Sequence, residues 1–139
     1  MKTILIVDDE KNIVSGLEEA FTLEGYSVLT AYDGKEAWDK VNTNNVDLVI
    51  TDLRMPMMNG NELVERISSS YPMLPVIVLT GHGTIETAVE SMRKGAVDFF
   101  TKPVDLDKLF LVVKKCLANS ELQEQNKKLT EEIEKIKNQ

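Results

Sequence analysis

Leu48-Val49-Ile50-Thr51-Asp52 is a short, uninterrupted apolar run, rich in β-branched residues, that ends on an acid. Such a run reads as a strand buried on both faces, the kind found in a parallel sheet covered by helices. The same unit recurs outward from it. Upstream lie Thr3 to Val7, followed by Asp8-Asp9, and Ser27 to Thr30. Downstream lie Val76 to Leu79, followed by Thr80, and Val97 to Phe100, followed by Thr101-Lys102. None alternates cleanly, so none is expected to be half exposed. Between the strand candidates run segments of helical period. Ile13, Leu17 and Phe21 fall at fourth-residue spacing, and Ile85, Ala88, Val89 and Met92 repeat the template in the fourth unit, both expected to cover the sheet. Asp33 and Asp105 stand where a side-chain oxygen caps free N–H groups at a helix start. Trp38, Met55, Met57, Met58 and Met73 are expected to be packing residues. Strands alternating with helices specify an α/β domain with a parallel sheet.

Size and composition fit one such domain with an appendage. The chain has 139 residues, 42% hydrophobic and 28% charged, a soluble globular balance. A net charge of -7 argues against gripping nucleic-acid phosphates, which takes a clustered basic face. No apolar run reaches membrane-spanning length, and the start turns acidic at Asp8 too early for a signal peptide, so the expected address is the cytoplasm. Cys116 is the single cysteine, has no internal disulfide partner and reads as a buried helical position without a role.

The polar residues fall at one kind of place. Asp8 and Asp9 follow the first strand candidate, Asp52 the third and Lys102 the fifth, while Thr80 closes the fourth. In an open parallel α/β sheet the carboxyl ends of strands line the ligand-binding crevice at the topological switch point, so these residues should converge. Three carboxylates brought together repel one another, and a divalent cation that prefers hard oxygen ligands offsets the repulsion; Mg²⁺ fits best. A phosphoryl group entering there would meet Mg²⁺, the Lys102 ammonium and the Thr80 hydroxyl, leaving a carboxylate oxygen of Asp52 as the in-line nucleophile. Each residue alone has a plainer account. Asp8-Asp9 would cap the next helix, Asp52 would be a turn residue, Thr80 would satisfy a local backbone group and Lys102 would be a solvated lysine. Their coincidence at equivalent strand ends favours the common cause.

With these residues in view, Ile4-Leu5-Ile6-Val7-Asp8-Asp9-Glu10, Asp47-Leu48-Val49-Ile50-Thr51-Asp52-Leu53-Arg54-Met55-Pro56 and Asp98-Phe99-Phe100-Thr101-Lys102-Pro103 resemble the receiver family of two-component response regulators. The resemblance covers residues 3 to about 118. It implies a flavodoxin-like, doubly wound, five-stranded parallel sheet in the order 2-1-3-4-5 with five helices. It also implies Asp52 as the phosphorylation site, Mg²⁺ held by Asp8, Asp9, Asp52 and the backbone carbonyl of Arg54, contact of Thr80 and Lys102 with the phosphoryl group, and a cis Lys102-Pro103 bond. By the same resemblance, Thr80 and Phe99 form the switch, with Phe in place of the common Tyr, while Arg54 and His82 modulate dephosphorylation. The phosphodonor partner would be a sensor histidine kinase. The chain would be no turnover enzyme, only self-phosphorylating from phosphodonors and slowly autodephosphorylating. Thr80 to Val89 and Met92 to Phe99 resemble the nitrogen-regulator subgroup of sigma-54-dependent transcriptional activators, whose receivers precede a ring-forming ATPase and a DNA-binding domain.

After Leu117 the pattern changes. Leu122, Leu129 and Ile136 recur every seven residues with Asn126 and Ile133 between them, and neither Gly nor Pro interrupts 118–139. Residues 1–118 are thus expected to form the receiver and 119–139 a linker helix. Leu122, Leu129 and Ile136 at d, with Asn126 and Ile133 at a, describe a short parallel dimeric coiled coil, Glu132 facing a partner's Lys137. The last helix is expected to begin near Asp105 and to project as part of a longer regulator. Two other chemistries compete for the acid-rich site. A haloacid-dehalogenase-type hydrolase would carry a second acid two residues after its nucleophile, where this chain has Arg54. A flavodoxin-like electron carrier would need a phosphate-binding loop where Asp8-Asp9-Glu10 stands.

Overall fold

The computed structural model describes the backbone of residues 1–137 and, beyond Ser120, the side chains of Leu122, Leu129 and Ile133 alone. Five strands alternate with five helices: β1 Thr3–Val7, α1 Lys11–Leu23, β2 Ser27–Ala31, α2 Gly34–Thr43, β3 Leu48–Thr51, α3 Gly60–Ser70, β4 Val76–Thr80, α4 Ile85–Lys94, β5 Asp98–Thr101 and α5 Leu106–Lys137. The strands form one parallel sheet in the order β2-β1-β3-β4-β5, the doubly wound arrangement expected.

Strand alternation divides the core into two layers. Ile4, Ile6, Leu48, Ile50, Ile77 and Leu79 face α1 and α5, where Val14, Leu17, Phe21, Leu109, Val113 and Leu117 cover them. Leu5, Val7, Val49, Val76 and Val78 face the other way, onto Ala37 and Val41 of α2 and Leu63, Val64 and Ile67 of α3. At about 25 cal/mol per Å² of apolar surface removed from water, these layers are the main source of stability. Asp33 caps α2, its carboxylate accepting from Glu36 N–H at 2.7 Å, and Asn59 caps α3 in the same way at 2.9 Å. Asp105 accepts from Asp107 N–H at 3.0 Å at the start of α5.

Several expectations are corrected. β2 and β5 are half-buried rather than covered, because they are the sheet edges. In α4 the apolar stripe does not cover the sheet: Ile85, Val89 and Met92 are exposed, and the buried residue is Ser91. Met57 and Met73 are exposed, whereas Trp38, Met55 and Met58 pack in the core as expected. Cys116 is half-buried beside the α5 layer, with burial and then the Asp98 charge raising its thiol pKa.

Candidate functional site

The strand register brings the carboxyl ends of β1, β3, β4 and β5 together. Val7 pairs with Thr51, Thr51 with Val78, and Thr80 with Thr101. The residues that follow β1, β3 and β5 therefore enter one crevice, at which β4 ends on Thr80, and Asp8 and Asp52 are 2% and 4% exposed there. The Lys102 ammonium joins them, donating to Asp8 Oδ2 at 2.7 Å and to Asp52 Oδ2 at 3.1 Å. It also lies 3.7 Å from Glu10 Oε1.

This arrangement removes most of the plainer accounts. The N-cap of α1 is Glu10, which makes no side-chain cap, so neither Asp8 nor Asp9 serves that purpose. Asp8 Oδ1 instead accepts from Glu10 N–H at 3.0 Å, closing the turn after β1. Lys102 is a largely buried cation rather than a solvated one. Asp52 Oδ1 is fixed by Leu53 N–H at 2.6 Å. Thr80 is fully buried, and its hydroxyl oxygen accepts from His82 N–H at 3.3 Å, so it also satisfies a local group. Lys102 N–H donates to the Thr80 carbonyl at 2.9 Å, which ties the hydroxyl-bearing residue to the ammonium-bearing one. The Lys102-Pro103 bond is cis, as expected.

The electrostatics follow from burial. Asp8 has its pKa raised above the ordinary 3.8 because desolvation outweighs the hydrogen bond from Lys102. For Lys102, burial works to lower the pKa, but the hydrogen bonds and charges of Asp8 and Asp52 win and raise it above 10.5. Carboxylate oxygens of Asp8, Asp9, Glu10 and Asp52 lie within 4.8 Å of one another. Four carboxylates faced by one ammonium leave an excess of negative charge, and an oxygen-liganded divalent cation fits that donor set.

Other expected residues lie around this centre. Arg54 and His82 are exposed and share a cleft of about 430 Å³ with Met55, Asn59, Asn61 and Thr87. Phe99 is half-buried against the α2–α3 layer. A larger concavity, about 620 Å³, opens at the opposite ends of the strands between Val46, Tyr71 and Leu117. No convergent set of acids lines it, so the acid-lined crevice at the carboxyl ends is the candidate. Sequence reasoning missed two contributors. Glu10 belongs to the acid cluster, a signal present in its adjacency to Asp8-Asp9. Thr51 is fully buried and donates its hydroxyl to the Asp52 carbonyl at 2.9 Å, which only its polar place at the end of an apolar run hinted at.

Residues 4–114 match the family model of the response regulator receiver domain. The chain belongs to the response regulator receiver domains. Among its relatives are the transcriptional regulatory protein GlrR of Escherichia coli, 44% identical over 117 residues, and the DNA-binding transcriptional regulator NtrC of Klebsiella pneumoniae, 38% identical over 120. These alignments cover 84% and 86% of this receiver but only 26% of each relative, so the chain spans about a quarter of their length. NtrX from Brucella abortus superposes with a TM-score of 0.85 at 36% identity, covering 93% of this chain and 30% of that one. A CheY-like receiver domain protein from Methanospirillum hungatei also reaches 0.85, at 32% identity, covering 88% of this chain and 98% of that one. As a receiver, it is a component of two-component signalling, and its relatives belong to the nitrogen-regulator type of transcriptional activator. Among the described residues no helix is long and apolar enough to cross a membrane.

Proposed function

We propose that Asp52 accepts a phosphoryl group from a sensor histidine kinase in the cytoplasm and that the change is passed through α5 to a transcription-regulating output. The observation that carries the reading is the bridge of Lys102 between Asp8 and Asp52, which puts a buried cation beside a buried carboxylate at the strand ends. Asp8, Asp9, Asp52 and the Arg54 carbonyl would hold Mg²⁺, which when bound supplies charge neutralisation for the phosphoryl oxygens.

The chain's own residues carry the rest. A carboxylate oxygen of Asp52 attacks phosphorus as the bond from phosphorus to the donor breaks, leaving the electron pair on the donor and an acyl phosphate on Asp52. Lys102, already charged and held in place, turns from Asp52 to a phosphoryl oxygen, and Thr80 donates its hydroxyl to another. Phe99 follows Thr80 as a packing change without a hydroxyl of its own. Arg54 and His82, at the rim of the cleft, control access of water to the acyl phosphate. Turnover is therefore slow loss of one group, not catalysis on outside phosphoesters. Acetyl phosphate with Mg²⁺ should label Asp52 stoichiometrically, and sustained hydrolysis of many phosphoesters would instead indicate a hydrolase.

Dimerisation through α5 is part of the same proposal. The helix runs for 32 residues, and Leu122, Leu129 and Ile133 are more than half exposed on it. Exposed apolar residues at d, d and a positions support pairing with a second copy. Asn126, Glu132, Ile136 and Lys137 complete the expected seam, but their side chains lie outside the described residues. The final 21 residues from Asn119 would reach roughly 30 Å as helix, enough to transmit a change in pairing. Sedimentation at high micromolar concentration should show a dimer that ending the chain at Ala118 removes, and a monomer with and without a phosphate analogue would refute it.

A further inference from the structure

The loop that carries Asp52 into α3 makes two close backbone approaches, and each involves a glycine. At its neck, Gly60 N–H donates to the Leu53 carbonyl at 2.8 Å. A Cβ on Gly60 would press into the Asp52 carbonyl and come within 2.7 Å of Leu53 Cα. At its outer end, Met58 is the one buried residue between Leu53 and Gly60, and it belongs to the core cluster that includes Ala37 and Val41 of α2. There the first residue of α2, Gly34, lies so close that a Cβ would overlap the Met58 carbonyl and stand 2.6 Å from Met58 Cβ and 2.9 Å from its carbonyl carbon. The obstacles include backbone atoms, so no side-chain rotation relieves them.

A second observation lies beside this outer hold. Met57, next to Met58, has φ +72°, a left-handed conformation unfavourable for a side-chain-bearing residue. Its own side chain is 74% exposed and holds nothing. Such a conformation persists only where the surroundings over-determine it, and here it is closed locally by Met58 N–H donating to the Pro56 carbonyl at 2.9 Å and backed by Met58 seated under α2. Between the two holds, Arg54 and Pro56 are exposed and Met55 is half-buried.

We infer that Gly34 is a positioning residue for phosphotransfer: by admitting the Met58 backbone against the first turn of α2, it sets the path of residues 53–59 and hence where the Arg54 carbonyl stands relative to Asp52. The inference rests on the reading of Asp52 as phosphoacceptor with a cation held by Asp8, Asp9, Asp52 and that carbonyl. A residue acting this way behaves as an outer support of a metal site, whose loss weakens binding while leaving the ligands in place.

The test is Mg²⁺ titration calorimetry on the whole chain, paired with thermal unfolding. Gly34→Ala is expected to weaken Mg²⁺ by about tenfold or more. Gly16→Ala, at an exposed position with open space around its Cβ, is expected to leave affinity unchanged. If Gly34→Ala does not fold, Asp33→Ala decides instead: it removes the cap that holds the same turn without adding an atom, and a severalfold weakening is expected. Wild-type affinity in the folded variant would overturn the inference while leaving the phosphoacceptor reading intact. A wild-type chain that binds no Mg²⁺ would overturn both.

Discussion

Lys102 Nζ lies 2.7 Å from Asp8 Oδ2 across 94 residues of sequence, joining the loop after β5 to the loop after β1. The contact exists because β1 and β5 point the same way in one sheet, and because a buried carboxylate next to Asp52 needs a positive charge.

Replacing that charge with a neutral chain of similar length should be costly. Lys102→Met leaves Asp8 and Asp52 buried without their cation, and about 3 kcal/mol of stability should be lost in cation-free buffer. Added Mg²⁺ should recover part of that loss by supplying charge to the same carboxylates. Urea unfolding with EDTA and with Mg²⁺ reads both, and equal destabilisation in the two buffers would show that Mg²⁺ does not reach this centre.

Asp8 sets a pH dependence. Its pKa is raised by burial above 3.8, so between that value and the native one the folded state holds more protons than the unfolded state. Its contribution to stability therefore falls as pH rises through that window. Mg²⁺ requires the carboxylate, so cation affinity should weaken as pH falls through the raised value. An NMR titration of the Asp8 carboxyl in EDTA checks the first statement, and Mg²⁺ titrations at stepped pH check the second.

Met57 offers a stabilising change. Glycine adopts φ +72° without the steric penalty that a side chain brings, and Met57→Gly gives up little packing because the side chain is exposed. A net gain of about 0.5–1 kcal/mol is expected after the larger entropy loss of glycine on folding. Chemical denaturation measures it, and a loss of stability would mean that the Met57 side chain contributes packing.

The fourth helix tests where periodicity misleads. Ile85, Val89 and Met92 have helical spacing, yet their face is exposed, and Ser91 is buried with its hydroxyl 3.1 Å from Asn61 Oδ1 of α3. Ile85→Ser should therefore change stability by no more than about 0.5 kcal/mol. Ser91→Ala should cost about 1 kcal/mol for the lost hydrogen bond. Thermal unfolding of the two variants distinguishes this from a sheet-covering stripe, which would reverse the order.

The same helix shows what the chain discloses before folding. Apolar spacing announces a helix but not which neighbour covers its stripe, and in α4 a serine took the inward place. The strands were legible because continuous runs such as Leu48 to Ile50 have one stable placement, between two helical layers. Asp8, Asp52 and Lys102 were legible because strand ends in a parallel sheet share a crevice. Glu10 and Thr51 were signalled only by position, since their parts depend on where a side chain turns. The closeness of Gly34 to Met58 was hidden for a similar reason: a glycine at a helix start does not disclose what lies against it until the backbone opposite is known.

The central claim is that Asp52 takes the phosphoryl group. Intact-mass and peptide mapping after incubation with acetyl phosphate and Mg²⁺ should find one base- and hydroxylamine-labile phosphoryl group per chain, located on Asp52 and absent in a folded Asp52→Asn variant. Labelling of His82, undiminished labelling of Asp52→Asn, or phosphate release without any covalent intermediate would contradict the account.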